Sequence, residues 1–152
     1  MEVNSMRLKR GAAALVVIAS LSMALAGCGG PKSYADGTYE GKSSVYEDND
    51  GEGDGYGEVS ITIKDGKITD CTFNTYETNG DLKDEDYGKQ NGEVANQDFY
   101  NKAQKALAGS KEYAKMLVET GDYHAIDAIS GATISYNQFM EAVDEALSKA
   151  EE

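Results

Sequence analysis

Glu58-Val59-Ser60-Ile61-Thr62-Ile63-Lys64, then Asp65-Gly66, then Lys67-Ile68-Thr69-Asp70-Cys71-Thr72-Phe73-Asn74-Thr75-Tyr76, is the stretch that decides the fold. In the first run Val59, Ile61 and Ile63 alternate with polar residues. That period of two sets one face of a strand on a core and the other in water. Asp-Gly is a strong signal for a two-residue hairpin turn, so the chain is expected to double back there. In the return run Thr69, Cys71, Phe73 and Thr75 share one side while Ile68 falls out of phase, a shift that a small bulge reconciles.

Working outward, Gly37 to Val45 reads as a preceding strand, separated from the hairpin by a Gly-Asp-rich stretch. Residues 77–92 are polar and loop-like. From about Asn96 to Ala108 the period lengthens: Phe99, Ala103, Ala106 and Leu107 recur at helical spacing. Gly109 reads as the stop of that helix, and Ser110 as the cap of a second, short one carrying Tyr113, Met116 and Leu117. His124 to Ile129 reads as a further strand. Ser135 with Gln138 three residues on has the form of a capping box, followed by Phe139, Ala142, Val143, Ala146 and Leu147 on one helix face. Strands first and helices later, without regular alternation, predict an α+β domain: a single antiparallel sheet with helices packed on it.

The chain of 152 residues suffices for one such domain. With 40% hydrophobic residues and ten tyrosines it can build a core, and its 17 glycines against one proline predict many tight turns. The net charge is −13, from 14 basic and 27 acidic residues. Three of the basic residues and one acidic residue precede Cys28. The remainder carries 11 basic and 26 acidic residues, a net of −15. Such a surface repels polyanions, so no nucleic-acid partner is expected, and there is no polybasic patch for lipid headgroups.

Arg7, Lys9 and Arg10 precede an uncharged run from Gly11 to Ala26, which is shorter than the roughly 20 apolar residues of a spanning helix. The run fits the core of a signal peptide over residues 1–27. It ends in Leu25-Ala26-Gly27-Cys28, which resembles the lipobox of bacterial lipoproteins, where the cysteine is acylated and becomes the new N-terminus. The expectation is an extracytoplasmic protein anchored to a membrane through a lipid on Cys28, with residues 28–36 as a tether and 37–150 as the domain. An ordinary signal peptide with a chance cysteine, or a short uncleaved anchor, is the alternative. With Cys28 acylated, Cys71 has no intrachain partner and reads as a small core residue.

Several motifs fail. Asp48-Asn49-Asp50-Gly51-Glu52-Gly53 starts like a calcium loop, but the twelfth position is Val59. Gly51, Gly53, Gly55 and Gly57 do not fit a dinucleotide fingerprint. His124 is the single histidine, too few for zinc, and no nucleophile elbow surrounds Ser130.

The segment left is Asp127-Ala128-Ile129-Ser130-Gly131-Ala132-Thr133, leading into the last helix. Small residues before a helix N-terminus, where N–H groups and the dipole favour an anion, suit a phosphate. Thr133 would present its hydroxyl there, and Asp127 would hold a metal ion or orient the loop. An ordinary turn that permits close packing fits the same residues.

Asp127-x-x-Ser130-Gly131-Ala132-Thr133 resembles the flavinylation motif of FMN-binding domains, D-x-x-[ST]-G-A-[TS]. Those domains occur in subunits of the sodium-pumping NADH:quinone reductase and the Rnf complex, and in surface flavoproteins of extracellular electron transfer. Gly37-Thr38-Tyr39-Glu40-Gly41 and the hairpin around Lys64-Asp65-Gly66-Lys67-Ile68 look like the same family's N-terminal half. The resemblance implies FMN as cofactor, esterified through its phosphate to Thr133 by a flavin transferase, with Ser130, Gly131 and Ala132 around it. It also implies an electron carrier rather than an enzyme, exchanging electrons with a membrane donor or another redox protein. Glu77-Thr78 sits where larger members carry E-T-P-G near the ring, though here Asn79 replaces the proline. Tyr76, Tyr87 and Tyr123 are candidates to stack on the ring, each equally suited to a core. The competing classes are a flavin-free lipoprotein that binds another ligand or a protein partner, and a flavoenzyme, for which the chain offers no second domain.

Overall fold

A computed structural model describes residues 33–151. The signal peptide expected over residues 1–27 and Cys28 lie outside them. Three strands, β1 (Gly37–Lys42), β2 (Tyr56–Lys64) and β3 (Lys67–Tyr76), form one antiparallel sheet in the order β1-β2-β3. Two helices, α1 (Gln97–Thr120) and α2 (Thr133–Ser148), pack against it. The α+β architecture follows the hydrophobic periods of the sequence.

The hairpin is as its residues require. Val59, Ile61 and Ile63 are buried, and Asp65 and Gly66 both have positive φ, 52° and 69°, as the turn demands. Ile63 faces Ile68 while Thr62 faces Asp70, so Thr69 is the extra residue of a bulge. That bulge returns Ile68 to the core and turns Thr69 outward, where the unbroken alternation would have faced it inward. Burying each of these isoleucines contributes about 1.5–3 kcal/mol. Cys71 is part-buried against the core, and burial, with Asp70 beside it, raises its thiol pKa to about 12.

Phe139 of α2 is fully buried between Phe73, edge-on at 5.2 Å, and Tyr113 of α1, stacked at 5.6 Å. This aromatic contact joins both helices to the sheet. The first strand ends at Lys42 and not at Val45. Ahead of β1, Tyr34 bridges Glu151 and the Ala35 N–H donates to the Ala150 carbonyl at 2.8 Å.

Three local expectations are corrected. Helix α1 is continuous through Gly109 and Ser110, both buried within it, and stops at Gly121, whose left-handed backbone (φ 67°) closes it onto Leu117. Asn96 caps its start, accepting from the Phe99 N–H. His124 to Ile129 is not a strand: Asp122 caps a single 3₁₀ turn, Tyr123–Ala125, and the chain then runs irregularly to α2. Ser135 does not cap α2, which begins two residues earlier at Thr133.

Candidate functional site

The start of α2 is held by residues far from it in sequence. Tyr113, fully buried on α1, accepts a hydrogen bond from the Ile129 N–H at 2.8 Å and donates to the Ala132 carbonyl at 3.1 Å. The Tyr136 hydroxyl donates to the Ile126 carbonyl at 2.9 Å. Two tyrosines thus fix the loop 126–132 by its backbone. Gly109 explains the close fit: a Cβ there would lie 2.5 Å from the Ala132 Cβ, so α1 passes directly under the loop. Gly131 supplies the positive φ (85°) of the turn into the helix.

Ala132 occupies the N-cap position of α2 and provides no side-chain hydrogen bond. Ala132 is itself buried, with its Cβ directly against Gly109 of α1. The N–H groups of the first turn are therefore left without a side-chain acceptor and keep their preference for an anion.

A cavity of about 390 Å³ opens beside this helix end. Phe99, Ala103, Ala106 and Leu107 of α1 form one apolar wall, and Ala132 and Ile134 add to it from α2. Thr133, exposed, stands at its edge with Gly131. The polar lining comes from Thr75 at the end of β3, Lys83, Ser135 and Gln138. Tyr87 lines it too, with Lys83 Nζ 4.8 Å from its ring centre. Burial pushes the Lys83 ammonium's pKa down, while Glu77 and Asp54 act against that shift. Burial is likewise the main cause of the raised Tyr87 pKa. The lining carries two lysines, Lys83 and Lys102, against one carboxylate, Glu52, the reverse of the chain's overall balance.

Of the residues singled out in the sequence, Gly131, Ala132 and Thr133 meet at the cavity. Asp127 and Ser130 are exposed beside it and do not line it. Asp127 has no hydrogen bond or ion pair among the described residues, so the loop is oriented by tyrosines instead. Among the described residues, no group of three or more His, Cys, Asp or Glu is placed to hold a metal ion. Glu77 and Thr78 form a turn, the Gly80 N–H donating to the Glu77 carbonyl at 2.9 Å, next to the cavity but outside its lining. Of the three tyrosines, Tyr87 alone lines the cavity. Tyr76 stacks on Tyr56 at 5.3 Å, and Tyr123 is buried with its hydroxyl donating to Asp144 at 2.7 Å. Thr75, Lys83, Gln138 and Tyr113 were not legible as site residues: the spacing of Gln138 from Ser135 reads as a capping box, and the other three belong to no recognisable motif.

An apolar slot ending at an uncapped helix N-terminus defines a binding domain for a flat organic ligand that carries an anionic group. The chain belongs to the FMN-binding domain family, whose sequence profile matches residues 53–148. FMN is the cofactor of this domain. The site fits it: the apolar walls suit a ring system, and the uncapped first turn of α2 suits a phosphate. The crystal structure of the CPE2226 protein from Clostridium perfringens is similar, with TM-score 0.54 and 26% identity over 77% of this chain and 88% of that one. A solution structure of a protein from Clostridium thermocellum also matches, with 26% identity and TM-score 0.42 over 77% of this chain and 92% of that one. No curated protein sequence matches significantly.

Proposed function

We propose that the chain is an extracytoplasmic, lipid-anchored electron carrier whose FMN is attached through a phosphoester to Thr133. The observation that carries the attachment is the position of Thr133: the first residue of α2, exposed, at the cavity's edge and on an uncapped helix end. Its hydroxyl is open to a modifying enzyme, and the neighbouring N–H groups would hold the phosphate next to it. In the attachment the Thr133 hydroxyl would attack the FMN phosphorus of a flavin phosphoanhydride donor and lose its proton; the new oxygen–phosphorus bond forms as the anhydride bond breaks and the donor's other phosphate leaves, a step that a flavin transferase would catalyse.

FMN, when bound, supplies one- or two-electron redox chemistry, and the protein positions it and sets its electrostatic surroundings. The residues here hold and shield it. Phe99, Ala103, Ala106 and Leu107 exclude water from one side, and Lys83 and Lys102 contribute positive charge. A covalent tether is useful outside the cytoplasm, where a lost flavin is not replaced. The export segment and Cys28 support a placement at the membrane, within reach of a membrane electron donor or another redox protein.

Intact-mass spectrometry of the chain co-produced with a flavin transferase tests the attachment. The chain is expected to gain the mass of FMN less water, and Thr133→Ala to abolish that gain. Persistence of the gain in the variant would move the attachment elsewhere. Mass spectrometry of protein from the membrane fraction is expected to show a lipid on Cys28, and an unmodified Cys28 thiol there would overturn the anchoring.

A further inference from the structure

Four of the buried polar residues face one cavity with hydrogen-bonding capacity to spare. Thr75 is 4% exposed, Gln138 4%, Ser135 7% and Lys83 8%, and all four line the cavity. Among the described residues the Thr75 and Ser135 hydroxyls have no hydrogen-bond partner. Gln138 Nε2 donates to the Gly55 carbonyl at 2.9 Å, but its Oε1 receives no hydrogen bond. Lys83 Nζ spends one of its three donors on the Gly53 carbonyl at 3.0 Å and has no carboxylate within ion-pair distance. Every fully enclosed polar side-chain atom among the described residues has a partner, so these open atoms are the ones that face the cavity.

Open polar atoms on residues this buried are completed by ordered water or by a ligand that replaces it. Ser135 belongs to the first turn of α2, at the phosphate end. The other three are tied to one another through the backbone they hold. Lys83 and Gln138 grip carbonyls two residues apart in the chain, those of Gly53 and Gly55, and the Lys83 N–H donates to the Thr75 carbonyl at 2.9 Å. Together they offer an ammonium donor, an amide acceptor and a hydroxyl donor. The pyrimidine edge of a flavin ring presents the complement: a carbonyl, an N–H and a second carbonyl.

We propose that Thr75, Lys83 and Gln138 form the subsite that reads the pyrimidine edge of the flavin ring, with Gln138 Oε1 accepting from the ring N3–H. The assignment rests on FMN occupying this cavity with its phosphate at Thr133. It makes Lys83 more than a generic positive charge. An ammonium at the ring edge favours the extra negative charge of a reduced ring and raises its potential.

The test uses the chain produced without a flavin transferase, so that the ligand exchanges, titrated by flavin fluorescence with FMN, riboflavin and 3-methylriboflavin. Wild type is expected to bind 3-methylriboflavin about tenfold or more weakly than riboflavin, because a methyl replaces the donor and leaves a buried acceptor unpaired. Gln138→Leu is expected to lose that discrimination. Lys83→Met and Thr75→Val are expected to weaken FMN and riboflavin by the same factor, and Lys83→Met to lower the midpoint potential of the bound flavin. Equal wild-type affinity for riboflavin and its 3-methyl form would overturn the subsite, and that comparison needs no variant to fold. So would discrimination that survives in Gln138→Leu, or losses confined to FMN, which would mean these residues read the phosphate. Failure of wild type to bind any of the three flavins would instead overturn the cavity as the FMN site.

Discussion

The two ends of helix α2 treat polar groups in opposite ways. Towards its C-terminus, the helix satisfies the edge of the sheet. Glu145 accepts from the Lys42 N–H at 2.5 Å, Glu141 from the Ser44 N–H at 2.8 Å, and Lys149 donates to the Glu40 carbonyl at 2.7 Å. An edge strand that would otherwise offer bare backbone to another chain is covered by the helix's own side chains. At the N-terminus the first-turn N–H groups have no side-chain acceptor, and the hydroxyls and amide nearby stay open. Where polar groups are matched within the chain, the region serves the fold. Where they are left open around a cavity, the region serves a ligand.

Phe139 lies between these ends, so its removal tests whether they share one core. Phe139→Ala is expected to cost about 3–5 kcal/mol in urea unfolding, with both ends losing amide protection together. Separate transitions would show two independent regions. Gly109→Ala should act on the cavity end alone. The added Cβ would meet Ala132 at 2.5 Å, so despite the better helix propensity the expected cost is about 1–3 kcal/mol. Weakened FMN binding and unchanged hydrogen exchange at the Lys42 and Ser44 amides would accompany it. Glu145→Gln probes the other end and should leave flavin affinity unchanged. Lys149, and then the Lys42 N–H, hold the Glu145 carboxyl below its ordinary value of 4.5. A carboxylate with a lowered folded-state pKa stabilises the fold above its unfolded value, and that stability is lost as pH falls through the folded one. Wild type should therefore lose a small increment of stability below about pH 4.5 that Glu145→Gln lacks, read as converging urea midpoints. The pair is exposed, so the increment is the smallest of the three effects.

What the sequence disclosed divides along the same line. The hairpin was legible because alternation at Val59, Ile61 and Ile63 and the Asp65-Gly66 turn are local signals, and the phase slip at Ile68 announced the bulge that the register shows. Gly109 misled because a glycine inside a helix looks like a stop, while its function is to let Ala132 approach. Ser135 and Gln138 have the spacing of a capping box, yet both are buried and line the cavity. Thr133 was found through a motif. Lys83 sits among acidic loop residues that give no periodic signal, and its burial arises from tertiary packing alone. The same holds for Tyr113, whose hydroxyl organises a loop 16 residues away.

The short pairing of Tyr34 and Ala35 with the end of the chain has a geometric consequence. It brings the entry of the domain to the C-terminal end of α2, and Thr133 stands at the other end of that 16-residue helix. At 1.5 Å per residue the two points are about 24 Å apart along a rigid rod. The entry of the described domain and Thr133 thus lie at opposite ends of α2. Whatever holds the domain by that entry leaves Thr133, and the cavity beside it, at the far end of the rod.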